Sequence, residues 1–450
     1  MHKTISTFFI LFISLSVFAK SGKVILSGKV SNPSVTSIKI TYFDYKEVAS
    51  AELDDNGNFK ISAKIEGGFY FLSYGRNTAY IYLYPKDELS ISFDAEHFDE
   101  TLVFEGKGAE RNNYLAKKSV KGSELTKDLD AFYKVDETTY IKNIANVKQR
   151  HLNALAKINV EDFFKTAEEK SLEFERLLSI QNYKSNYKFY LGEEISPSKG
   201  FYKPVEKIDV RNEDDYKRQP YYRYLVNSVW NKKIDAAPDA ESMLNVLREV
   251  KSQPIIISLI NGFYSKISSN KERAKDYLDL IKMVTTHQPF IEAAEKQYQE
   301  VMKSKGLSKG DASPEFSYET IDGKIISLND LKGKYVYIDV WATWCAPCIK
   351  QVPYLKQLEE RYHNKNIVFV SISVDKEKVK DTWKQMIADK ELGGLQLFAD
   401  KSFDSDFMNA YAVNSIPRFI LIDPEGKIVD PEAPRPSFDK TRVLLDELLH

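Results

Sequence analysis

The chain has 450 residues, with 64 Lys and Arg against 65 Asp and Glu, a formal net charge of −1 and 43% hydrophobic residues. That length exceeds a single core and calls for several domains. The balanced, interleaved charge leaves no basic surplus to meet nucleic acid or an anionic membrane, and 27 Tyr and 26 Phe fit well-filled cores rather than disorder.

Met1-His2-Lys3 is a short cationic start, and Ile5 to Phe18 is apolar apart from Ser and Thr. Val17 and Ala19 place small residues ahead of Lys20, the pattern of a signal peptide over residues 1–19. The run is short for a membrane span of roughly 20 residues, and no cysteine follows it to carry a lipid. The mature protein is therefore expected to be exported to the periplasm, soluble and not membrane-spanning.

Residues 20–105 read as a β-sandwich-like domain. VILSGKV, SIKITYF, GNFKISAKI, FYFLSY, AYIYLY and LSISFD alternate apolar and polar positions, with turn residues at Asp55-Asn56-Gly57-Asn58 and Gly67-Gly68. From 106 to 305 the period lengthens. DFFKTAEEKSLEFERLLSIQNY, SMLNVLREV and KERAKDYLDLIKMV carry apolar residues three and four apart, as amphipathic helices do. ISPSKGFYKP (195–204) interrupts this helical domain. It shows no metal cluster, phosphate loop or catalytic constellation, and His151 and His287 read as ordinary core or surface residues.

KSKGLSKGDASPEF (303–316) has the composition of a linker. An α/β pattern occupies 306–450. FSYETIDGKIIS is a hairpin around Asp322-Gly323, YVYIDV (335–340) and IVFVSIS (367–373) are strands buried on both faces, and a helix is expected from Cys345 to about Tyr362. LQLFA, RFILI and KIV follow as strands, then a last helix at 438–449.

Cys345 and Cys348 are the chain's two cysteines. A disulfide across two intervening residues closes too short a loop to stabilise a fold. A structural zinc site needs four ligands, and the nearest downstream histidine, His363, stands alone. No metal and no cofactor are expected. Redox chemistry explains the spacing better. At the start of a helix, unpaired N–H groups and the helix dipole favour a thiolate on Cys345, the nucleophile. Cys348, one turn later, can attack a mixed disulfide on Cys345 and release the partner. Pro347 suits the first helical turn, and Pro353 is expected to kink the helix.

The run Asp339-Val340-Trp341-Ala342-Thr343-Trp344-Cys345-Ala346-Pro347-Cys348, with Pro353 and the later Ser415-Ile416-Pro417, resembles the thioredoxin superfamily. More narrowly it resembles the TlpA/ResA-like thiol–disulfide oxidoreductases of bacterial envelopes, over about residues 310–450. The β-rich start resembles, more loosely, the domains that precede such units in envelope proteins. The resemblance implies a C-terminal thioredoxin-like fold, a disulfide-bearing protein substrate, a membrane thiol reductant as electron donor and a setting akin to cytochrome c biogenesis. It also implies that Pro417 is a cis-proline beside the active disulfide, that the Ile416 backbone pairs with an extended substrate, and that Trp344 shields the disulfide, core packing being the alternative for Trp344. Family members often carry Asn six residues before the first cysteine and Glu three after the second; here those positions are Asp339 and Gln351. A carboxylate buried behind the second cysteine can take its proton as the thiolate forms, so Asp339 is expected to serve as the proton relay and Gln351 is not.

The expected function is an extracytoplasmic reductase of protein disulfides. A peroxide reductase of peroxiredoxin type needs Thr or Ser three residues before the cysteine and Pro seven before; Ala342 and Ile338 stand there. A partner-binding scaffold with an accessory redox domain is the alternative from outside enzymology.

Overall fold

A computed structural model describes residues 21–125, 128–303 and 307–449. The expected leader, residues 1–19, lies outside the described residues. The chain divides into two compact units: one takes the chain up to Tyr183 together with Pro197–Pro238 and Asn245–Leu259, and the other takes Lys184–Ser196, Asp239–Leu244 and everything from Ile260 on. The helical region thus contributes to both.

The first unit begins with two four-stranded sheets. β1 (Ser21–Ser31), β4 (Asn58–Glu66), β7 (Glu88–Asp94) and β8 (Val103–Lys107) form one, in the order β4-β1-β7-β8; β2 (Ser37–Thr41), β3 (Glu47–Glu52), β5 (Gly68–Tyr74) and β6 (Asn77–Leu83) form the other, in the order β3-β2-β5-β6. Alternating Val24, Leu26, Ile38, Ile40, Ile61, Leu72 and Ile91 fill the core, as period-2 strands require. β3 and β8 go beyond the strands read from sequence. Both are edge strands with few β-branched residues, and their pairing is set by neighbours rather than by their own pattern. Gly57 sits at φ +78° in the turn between β3 and β4, and Asp54 closes that turn by accepting N–H bonds from Asn56 and Asn58 at 2.9 and 2.8 Å.

Consecutive asparagines on the helix Ala109–Leu125 blunt two sheet edges. Asn112 accepts from the Tyr82 N–H at 2.8 Å and donates to its C=O at 3.1 Å on β6, and Asn113 does the same to Phe104 on β8 at 2.9 and 2.7 Å. Each amide replaces the missing neighbour strand and closes an edge open to mispairing. Tyr114, Leu115, Leu155 and Phe164 pack with Phe43, Phe69, Phe71 and Tyr82 in one cluster, so within this unit strands and helices share a core.

The second unit carries the helices Ala274–Val284 and Gln288–Lys303 and then a seven-stranded sheet. Its strands are β9 (Ser317–Thr320), β10 (Ile325–Ser327), β11 (Tyr335–Trp341), β12 (Ile367–Ser373), β13 (Leu395–Phe398), β14 (Arg418–Ile422) and β15 (Ile428–Asp430), in the order β10-β9-β13-β12-β11-β14-β15. β11, β12 and β13 are parallel, and β14 is antiparallel to β11. This is a thioredoxin-like arrangement, with β11 flanked by β12 and β14 and apolar layers on both faces. The segment read as a linker is docked in its described part: Gly310 N–H donates to Ile428 C=O at 2.7 Å and Ser313 N–H to Gly426 C=O at 2.9 Å. Those bonds satisfy the outer edge of the sheet.

Candidate active site

The helix Ala346–Tyr362 follows β11 after the short loop Ala342–Trp344, and Cys345 is its N-cap. A 1.98 Å S–S bond joins Cys345 to Cys348. The Cys348 N–H points at Cys345 Sγ at 3.2 Å, so one of the orphan donors of the helix start already addresses the first sulfur. In the dithiol form the same donors and the helix dipole favour negative charge there. Pro347 lies in the first turn, where its missing N–H leaves no acceptor unmet, and the helix continues through Pro353. Cys345 is 4% and Cys348 1% exposed.

The loop ahead of Cys345 is held by a residue the sequence reading passed over. Asp375, wholly buried, accepts the Thr343 N–H at 2.8 Å, the Thr343 hydroxyl at 2.9 Å and the Ser373 hydroxyl at 2.9 Å. Three bonds to one carboxylate fix the backbone two residues before the nucleophile. Its sequence signal is an acid two residues beyond the end of a buried strand, a pattern shared with many surface turns.

Behind Cys348, alternation along β11 turns Tyr337 and Asp339 toward the same face. Asp339 is 5% exposed and its Oδ1 has no hydrogen-bond partner. Burial, with a lesser contribution from the nearby Glu359, pushes its pKa from 3.8 to about 8. Asp339 and Cys348 line one cavity of about 10 Å³ with Trp341, Val352, Leu355, Lys356, Glu359, Ser371, Leu392, Gly393 and Gln396. Asp339 is level with Ser371 on β12, and Ser371 with Gln396 on β13, so a polar row crosses three largely apolar strands. Gln351 lies elsewhere on the helix and its Oε1 accepts from the Ser437 N–H at 3.1 Å.

The Ile416–Pro417 peptide is cis. Ile416 packs against the apolar cluster that contains both cysteines. Trp344 is 48% exposed with Phe403 tilted against it at 6.4 Å between ring centroids, so it lies at the surface rather than in the core. The fold thus brings Cys345, Cys348 and Asp339 together, sets Ile416 against the same cluster and leaves Trp344 outside it.

With that geometry in hand, comparison with known proteins is informative. The Redoxin family model matches residues 308–442. The thiol–disulfide oxidoreductase ResA of Bacillus subtilis is 33% identical over 127 residues, 28% of this chain and 67% of ResA. The chain belongs to the ResA-like thiol–disulfide oxidoreductases. The thioredoxin-like protein YneN of Bacillus subtilis is 32% identical over 128 residues, 28% of this chain and 73% of YneN. The solution structure of a thiol:disulfide interchange protein from a Bacteroides species is 30% identical, covering 31% of this chain and 90% of that one at a TM-score of 0.29. The family accounts for the C-terminal redox domain; these matches leave the β-rich and helical regions unaddressed. Among the described residues no helix is long and apolar enough to cross a membrane.

Proposed function

We propose that the protein reduces protein disulfides outside the cytoplasm, with Cys345 as nucleophile, Cys348 as resolving thiol and Asp339 as proton relay. The observation that carries this reading is the cavity shared by Cys348 and a buried carboxyl whose pKa stands at about 8, so that both its protonation states are accessible near neutrality. The Cys345 thiolate attacks a substrate disulfide, forming a mixed disulfide and expelling one substrate thiolate. Cys348 then gives its proton to ionised Asp339 and attacks Cys345 Sγ. The bond from Cys345 to the substrate breaks, the second substrate thiolate leaves and takes a proton from solvent, and two electrons have passed to the substrate. The Cys345–Cys348 disulfide that remains needs an external dithiol, and a membrane thiol reductant fits an exported protein. Ile416 and Pro417 supply the edge on which an extended substrate lies, and Trp344 offers it an exposed aromatic face.

The reductive direction rests on the dipeptide between the cysteines. Ala346-Pro347 adds no cation to the helix-start stabilisation of the Cys345 thiolate, whereas a strong oxidant needs its reduced form especially stabilised. Export rests on the leader pattern of residues 1–19. Equilibration with glutathione buffers tests the direction: a potential near that of thioredoxin, about −270 mV, is expected, and one near the periplasmic oxidants, about −120 mV, overturns it. Trapping with Cys348→Ser, which arrests the mixed disulfide, identifies the substrates; purely noncovalent partners favour the scaffold reading instead.

A further inference from the structure

Asp339 is enclosed, and a proton it accepts from Cys348 must leave before the next turnover. The cavity it shares with Cys348 measures about 10 Å³, on the order of the room one water needs. Two further polar atoms in that wall, Trp341 Nε1 and Gln396 Oε1, are buried and unpaired like Asp339 Oδ1. Glu359 lies three turns along the same helix from Cys348 and is half-buried, as Val352, Lys356, Leu392 and Gly393 of the lining are, while Asp339, Cys348, Ser371 and Gln396 are buried. Its carboxylate rests against the turn before β13. A Cβ on Gly393 would overlap Glu359 Oε2, and one on Gly394, at φ +63°, would lie 2.8 Å from Oε1. The two glycines therefore clear the space that the carboxylate occupies. Gln396 closes the same turn by donating to Gly393 C=O at 2.6 Å.

We propose that Glu359 is the outer carboxylate of a two-acid proton path, exchanging protons between Asp339 and solvent through the cavity behind Cys348. The inference rests on the relay reading of Asp339 and adds the exit that reading requires. During resolution Cys348 loses its proton to Asp339; afterwards the Asp339 O–H bond breaks, the proton passes to the ionised Glu359 across the cavity, and Glu359 releases it to bulk water. The dithiol-forming direction reverses each transfer. The groups lining the path are Asp339 from β11 and Cys348, Lys356 and Glu359 from the helix, while β12 and β13 present neutral Ser371 and Gln396; Tyr337 on β11 lies outside the cavity, its hydroxyl donating to Pro434 C=O, and feels the Asp339 charge. Burial raises the Glu359 pKa and Lys356 opposes the rise. Lys356 also supplies a counter-charge, so two neighbouring acids need not both be neutral.

The test uses the whole reduced protein and the aromatic disulfide 5,5′-dithiobis(2-nitrobenzoate). The second thionitrobenzoate released reports the attack of Cys348 on the mixed disulfide, followed by stopped flow across pH in weak buffer. For Glu359→Gln, resolution is expected to slow by about tenfold near neutral pH, to recover when imidazole is added as a small diffusible proton carrier, and to show its Asp339 midpoint at lower pH because the neighbouring anion is gone. Gly393→Ala keeps the acid but displaces it, and is expected to give the same imidazole-rescued defect. An unchanged rate and midpoint in Glu359→Gln, or a slowing that imidazole does not relieve, overturns the proposal. Asp339→Asn separates the two readings. If it removes the pH dependence while Glu359→Gln does nothing, the outer acid alone is refuted; if Asp339→Asn leaves the pH dependence intact, the relay itself is.

Discussion

Both units bury carboxylates, and they treat them in opposite ways. In the unit built on β1–β8, Asp87 and Arg111 form a wholly buried ion pair, with Arg111 also reaching Glu161 at 2.9 Å. Glu168 binds Lys118 at 2.7 Å and Tyr114 at 3.2 Å. Burial pushes Asp87 and Glu168 upward while their cations pull them back. In the redox unit Asp339 is equally enclosed, but its Oδ1 has no partner and the neighbouring charge that shifts it is a second acid, Glu359, while Lys356 of the same cavity acts on Glu359. A paired buried acid locks geometry, since removing either partner strands a charge. An unpaired one is held in its neutral form at a cost in stability, and keeps a proton available. The burial is the same, and the partner decides what the acid does.

The largest expected effect comes from breaking a lock. Lys118→Met leaves Glu168 without its cation and is expected to destabilise the protein by about 3–5 kcal/mol in urea unfolding; the double variant with Glu168→Leu should recover most of that loss. If Lys118→Met costs nothing, the paired acids are not locks and the contrast fails.

Asp339→Asn should do the reverse to stability and harm only chemistry. A carboxyl raised from 3.8 to about 8 on folding contributes its full stability below pH 4, loses it as pH rises through the window from about 4 to 8, and is constant above. The wild-type chain is therefore expected to lose on the order of 1 kcal/mol per pH unit across that window from this group. Asp339→Asn should flatten that slope while slowing resolution by about a hundredfold near neutral pH. A slope that survives the substitution places the titration elsewhere.

Asp375 sharpens the comparison, because it is a buried acid that binds neither cation nor proton path. Asp375→Ala removes three acceptor contacts and is expected to cost about 1–3 kcal/mol and to slow attack by Cys345 through loosening of Thr343. An exchange rate unaffected by this change means the loop needs no tether. The smallest effect is expected at Gln351. Gln351→Ala forfeits one bond to the Ser437 N–H, about 0.5–1.5 kcal/mol, with exchange and its pH profile unchanged; a shifted profile would return the relay to that position.

Much of the redox domain was legible because its signals are local. The apolar runs of β11 and β12, the Asp322-Gly323 hairpin and a helix opening on Cys345-Ala346-Pro347-Cys348 each follow from neighbours in sequence. The six patterned strands of the first unit were legible for the same reason. β3 and β8 were not, since an edge strand is defined by what it pairs with. The linker composition at 303–316 describes exposed, polar chain, and gave no sign that Gly310 and Ser313 bond to the β14–β15 hairpin. Asp339 stands out through the resemblance, at a position where family members often carry Asn. Asp375 and Glu359 do not, because an acid after a strand and an acid on a charged helix are common.

The sequence by itself determined the covalent chemistry: two cysteines at helical spacing, a proline that suits the first turn, and an acid at alternating register behind them. Those are consequences of period and reach along one stretch of chain. Tertiary structure decided the solvation of the acids. Asp339, Ser371 and Gln396 become a row only when β11, β12 and β13 lie side by side, and Glu359 joins them only where Gly393 and Gly394 leave room for its carboxylate. Protonation depends on what surrounds a group in three dimensions, and those surroundings come from segments separated by dozens of residues along the chain.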